Sequence, residues 1–106
     1  MANAFYNILA EEAVSIGSTA TAAFPNAPDG TKLVRWTVLG GGKVVYRLSG
    51  VADSSPSGVT DGHESYGDDW RMGKTDASRV FMLDYAGATV TIFVSYLGGR
   101  LLEADV

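Results

Sequence analysis

The sequence predicts an all-β chain, an antiparallel β-sandwich of the jelly-roll or immunoglobulin-like type with a short N-terminal arm. Two observations lead there. β-Branched and aromatic residues come in short alternating runs. Turn signals recur between the runs, carried by 13 glycines and 3 prolines. Cysteine is absent, so the fold stands on packing and hydrogen bonds without disulfides. The 106 residues suit a single domain, and a chain of this size buries roughly two-thirds of the surface it exposes unfolded. Residues 1–12 read as the arm and 13–106 as one sandwich domain.

Taken in order, the first dozen residues leave two readings open. Phe5, Ile8 and Leu9 have helical spacing, and Ala10-Glu11-Glu12 favours helix; the same residues can equally pair as an edge strand. The segment either packs on its own domain or docks on a neighbouring subunit, because exposed apolar ends mark contact sites. Ala13 to Ile16 reads as a short strand, turned by Gly17-Ser18, with Thr19 to Phe24 as its returning partner. Pro25 to Gly30 is a strong turn, since proline fixes φ and Asp29-Gly30 supplies a positive-φ position.

Two hairpins are expected. From Leu33 to Leu39, Val34, Trp36 and Val38 share one face; from Val44 to Leu48, Val44, Tyr46 and Leu48 do. The Gly40-Gly41-Gly42 triplet between them reads as a hairpin loop. Phe81, Leu83 and Tyr85 then precede Ala86-Gly87, and Val90, Ile92, Val94 and Tyr96 share the apolar face of a final strand. Thr89, Thr91, Phe93 and Ser95 occupy its other face, which suits solvent or a subunit contact. Gly50 to Gly73 reads as one long irregular segment with a short strand near Trp70 to Met72. Loops of that length are usually functional or lie against a partner.

Charge limits the partners. The net charge is −4, and the eight basic residues are scattered, which speaks against nucleic acid. No apolar run approaches the roughly 20 residues of a membrane span. The N-terminus has no basic start and carries Glu11 and Glu12, so a secretory signal is not expected and folding in a cytoplasm is.

Chemistry is sparse. His63, the single histidine, sits without a nucleophile elbow nearby, so a solvated histidine is expected in place of a catalytic base. One histidine and no cysteine exclude ordinary zinc sites. Asp61, Glu64, Asp68 and Asp69 offer oxygen ligands, but their spacing does not match a calcium loop, and a solvated acidic segment is expected. The triple glycine lacks the lysine and hydroxyl of a phosphate loop. No enzyme activity, catalytic residue, metal or cofactor is therefore expected. Trp36 and Tyr46 read as core. Trp70 and Tyr66 lie among carboxylates, a setting that fits a sugar-binding face or a protein interface, although Trp70 folded back as the closure of one sandwich end accounts for it equally.

One set of short pieces resembles a known family. Val44-Val45-Tyr46-Arg47-Leu48-Ser49-Gly50 is followed by Pro56 to His63, Gly67-Asp68-Asp69, Asp76 to Phe81 and Ala86 to Thr91. This pattern, over residues 14–96, resembles small β-sandwich accessory proteins of tailed bacteriophages. The resemblance implies a virion structural protein: a capsid decoration (cement) protein, or a head–tail or minor tail component. Its partners would be the major capsid protein or other virion proteins, and its place the capsid surface. It would be a homo-oligomer, with a trimer suiting threefold positions. The residues expected to meet a partner are Phe5, Tyr6, Ile8, Leu9, Tyr66 and Trp70. The alternative is a carbohydrate- or receptor-binding module centred on Trp70 and Tyr66.

Overall fold

The computed structural model describes residues 3–47 and 56–102, with residues 3–6 and 100–102 described by their backbone alone. It is an all-β sandwich of two four-stranded antiparallel sheets. In chain order the strands are β1 (Asn3–Ile16), β2 (Thr21–Ala22), β3 (Leu33–Val38), β4 (Val44–Tyr46), β5 (His63–Ser65), β6 (Gly67–Arg71), β7 (Phe81–Asp84) and β8 (Val90–Leu102). A one-turn helix, α1 (Lys74–Ala77), precedes β7. Sheet A runs β1-β8-β3-β6 and sheet B runs β2-β7-β4-β5.

The faces expected from alternation hold along β3, β4 and β8. Val34, Trp36, Val38, Val44, Ile92, Val94 and Tyr96 all lie in the central core, with Phe24, Ile16 and Met82; Leu48 lies outside the described residues. The expected pairing does not hold. β3 belongs to sheet A and β4 to sheet B, so Gly40-Gly41-Gly42 is not a hairpin loop. It is an arch across one end of the sandwich, and Gly40 and Gly41 make the turn with φ of 76° and 79°. β7 and β8 likewise lie in different sheets. An arch and a hairpin both leave alternate residues facing the core, so apolar spacing cannot separate them. The β7–β8 arch is organised by Asp84. Its buried carboxylate accepts hydrogen bonds from the main-chain N–H of Ala86 and Ala88, at 3.3 and 3.0 Å.

Two further expectations are corrected. The segment Thr19 to Phe24 does not return against Ala13 to Ile16: β2 pairs with β7, and β1 pairs with β8. Within Gly50 to Gly73, residues 50–55 lie outside the described residues, and residues 63–71 are not irregular. They form one extended run that leaves sheet B as β5 and enters sheet A as β6. Gly67 makes the transfer at φ 146°, and a Cβ there would come within 2.6 Å of the Trp36 carbonyl oxygen. The acidic composition of this run hides its strand character, because aspartate and glycine are poor strand formers.

The N-terminal segment takes the strand reading and not the helical one. β1 runs unbroken from Asn3 to Ile16 and pairs with β8 along its whole length, from Asn3 opposite Leu102 to Ile16 opposite Val90. A bulge at Leu9 adds one residue to β1. β3 reaches only as far as Leu33 opposite Leu97. Past that point residues 3–7 and 98–102 continue as a two-stranded ribbon without a third strand among the described residues.

Candidate functional site

Register places the side chains of sheet A in rows. On the outer face one row holds Ala13, Phe93, Thr37 and Gly67. The next holds Glu11, Ser95, Arg35 and Asp69, and the third Ile8, Leu97, Leu33 and Arg71. The middle row is polar and internally paired. Ser95 donates to Glu11 at 2.7 Å. The Arg35 guanidinium donates to both oxygens of Asp69, at 2.9 and 3.1 Å. That hydrogen bond holds the Asp69 carboxyl below the usual carboxylate range. In the flanking row Phe93 is 40% exposed, on the face that its neighbours Thr91 and Ser95 mark as outward.

The inner face ends in a carboxylate at each edge. On β1, Glu12 accepts hydrogen bonds from the Tyr96 hydroxyl and, at 2.9 Å, from Asn26 Nδ2. On β6, Asp68 accepts from Trp70 Nε1 at 3.0 Å. Each acid satisfies the polar tip of a large ring whose body packs inward, which is what a buried tyrosine or a half-buried tryptophan requires.

Trp70 is thus not a free platform. Its ring lies 5.1 Å from Trp36, 4.9 Å from Tyr46 and 6.0 Å from Phe24. His63, on β5, extends the cluster with its ring tilted against Tyr46 at 5.7 Å. Trp36 Nε1 is buried and has no hydrogen-bond partner among the described residues. Tyr66, between β5 and β6, is 64% exposed. It lines a shallow depression with Arg35, Thr37, Asp68 and Asp69.

The six residues expected to meet a partner therefore do not form one site. Ile8 and Leu9 are exposed on β1 beside the ribbon, 62% and 41% respectively. Phe5 and Tyr6 lie on the ribbon backbone, and their side chains fall outside the described residues. Tyr66 and Trp70 sit at the opposite edge of sheet A. The four carboxylates weighed as a calcium set also separate. Asp61 binds Ser57 and Arg47, Glu64 binds Lys43, Asp68 binds Trp70 and Asp69 binds Arg35. Asp61 is held below the usual carboxylate range, first by the Ser57 backbone N–H and then by its hydroxyl. Among the described residues no three metal-ligating side chains converge.

The sequence reading does not single out the open edge of β1. A signal is present: residues 3–16 contain no lysine, arginine or proline, the residues that commonly protect an edge strand. Compared with protein-family models, with curated proteins and with solved structures, the chain has no match.

Proposed function

We propose that the chain is a non-enzymatic structural protein of a tailed-phage virion. In this reading it is a capsid decoration protein that stabilises the shell by binding between major capsid subunits. The observation that carries the reading is the terminal ribbon. Among the described residues, residues 3–7 and 98–102 pair only with each other, and Ile8 and Leu9 stand exposed at the base of the ribbon. A two-stranded ribbon with open edges is marginal alone in water and is stabilised when another surface supplies a strand or an apolar seat. The family resemblance supports the same reading.

The test is the copy number of this chain relative to the main shell protein in purified particles, by quantitative mass spectrometry. A ratio near parity is the expected result. A ratio of a few percent assigns it to the tail or the head–tail joint. Absence from particles overturns the virion reading and leaves a glycan- or receptor-binding module at the Tyr66 rim.

A further inference from the structure

Between the bulge at Leu9 and the turn at Gly17, β1 offers seven residues: Ala10-Glu11-Glu12-Ala13-Val14-Ser15-Ile16. One side of this stretch pairs with β8 from Tyr96 to Val90. No main-chain hydrogen bond reaches its other side among the described residues. Edges of soluble sheets are usually guarded by lysine, proline, a bulge or a covering segment. Here lysine and proline are missing, the bulge lies outside the stretch, and the one inward-pointing charge, itself a common guard, is Glu12, whose carboxylate is taken up by Tyr96 and Asn26. Asn26 approaches only by a side-chain bond to Glu12.

We propose that this edge is a homodimer interface, in which residues 10–16 pair antiparallel with residues 10–16 of a second copy about a two-fold axis at Ala13. The two sheets A then become one continuous sheet. The stretch is symmetric about Ala13, so this register uses all of it. Ala10 falls opposite Ile16, Glu11 opposite Ser15 and Glu12 opposite Val14. Facing residues share a side of the sheet, as antiparallel pairing demands. The residue at the axis is an exposed alanine, which permits close approach. No glutamate directly faces a glutamate: the two Glu11 positions lie roughly 13 Å apart along the strands, beyond the screening length of about 8 Å at physiological salt. The two Glu12 positions are diagonal neighbours roughly 7 Å apart along the strands, where each carboxylate is held by Tyr96 and Asn26.

Charge also selects this partner over the other edge of sheet A. A ring, such as a trimer, would set β1 against β6 of its neighbour. That would bring Glu11 and Glu12 towards Asp68 and Asp69, and like charges across strands are unfavourable. The pairing concerns the purified chain alone and does not rest on the virion reading. It leaves the terminal ribbon, beyond the bulge, free for another partner.

Sedimentation of the purified chain over a concentration series tests the proposal. The expected result is a monomer–dimer equilibrium. Ala13→Lys places two lysines face to face on the axis and should weaken association at least tenfold. Ser15→Lys places a lysine opposite Glu11 of the second copy and should tighten it about threefold to tenfold, a gain that added salt removes. A monomer at every concentration, a trimer or an open-ended series, or a dimer indifferent to both lysines overturns the proposal. Melting curves report whether each variant is folded. Should Ala13→Lys not fold, hydrogen exchange on the parent chain decides. Protection of amides in residues 10–16 that rises with concentration supports the interface, and protection independent of concentration overturns it.

Discussion

The two edges of sheet A solve the same problem in contrasting ways. β6 is five residues long, and three of them, Asp68, Asp69 and Arg71, are charged. A single large ring, Trp70, holds it to the core. β1 is 14 residues long, and its charges are Glu11 and Glu12. It is held by a full ladder to β8 and by Val14 and Ile16 in the core. A charged edge discourages further pairing and so can be short. An edge without cationic guards must be tied along its length, and it remains competent to pair again. The contrast places closure at β6 and, in the dimer proposed above, self-association at β1.

The largest test of this contrast is Trp70→Ala. It removes the ring that packs on Trp36, Tyr46 and Phe24, and it leaves β6 joined to β3 by backbone bonds and the exposed Arg35–Asp69 pair. Full burial of such a ring would make the loss about 3–5 kcal/mol; Trp70 is only half-buried, so a loss of about 2–4 kcal/mol is expected. Urea unfolding measures it. A loss below about 1 kcal/mol would show that β6 is not anchored by Trp70, and the edges would then differ in length and charge but not in a ring anchor.

The faces of strands are legible in the sequence and their neighbours are not. Alternation alone places Val34, Trp36 and Val38 inward, and it does the same for the apolar face of β8 from Val90 to Tyr96. It reports only which side of a strand is buried, and arches and hairpins share it. Hence the glycine triplet and Ala86-Gly87 each read as hairpin loops, although both cross between sheets. β5 and β6 escape for a different reason. His63, Glu64, Asp68 and Asp69 are edge residues whose side chains pair on the surface, so the strands carry little apolar signal. Trp70 is legible in kind, as a ring that closes one end, and a short strand is expected at Trp70 to Met72, but β6 starts earlier, at Gly67, where the acidic residues hide it. The ribbon is half legible. Its apolar character stands out, whereas its pairing with residues 98–102 is a contact between chain ends that local pattern cannot encode.

At the β1 edge the corresponding test is smaller. Tyr96→Phe removes the hydroxyl that donates to Glu12 and keeps the buried ring. A hydrogen bond to a charged group contributes about 1.5–3 kcal/mol, and Asn26 still serves Glu12, so a loss of about 1–2 kcal/mol is expected. The substitution also has a pH signature. Burial, then the hydrogen bond to Glu12 and its charge, push the Tyr96 phenol well above its ordinary value. A raised folded pKa gives stability that is present below the unfolded value of about 10 and is lost as pH rises beyond it. The parent chain should therefore weaken above that pH more steeply than Tyr96→Phe. Parallel alkaline limbs would show that the hydroxyl is not buried against Glu12.

The smallest effect belongs to the outer face of the β6 edge, and it lies at the other end of the pH scale. Arg35 lowers the Asp69 carboxyl, so its contribution is present above the unfolded carboxylate value of about 3.9 and is lost as pH falls through the folded one. The two side chains are 59% and 49% exposed, so water and salt screen the pair and its contribution should stay below about 1 kcal/mol. Asp69→Asn should therefore shift the urea midpoint only slightly at neutral pH and flatten the acid limb near pH 4. Asp61, lowered by Ser57, keeps part of that limb in the variant. The β6 edge would then respond to acid and the β1 edge to alkali. A larger neutral-pH loss in Asp69→Asn than in Tyr96→Phe would reverse the ranking, because it would mean that the surface pair, rather than the Trp70 ring, secures β6.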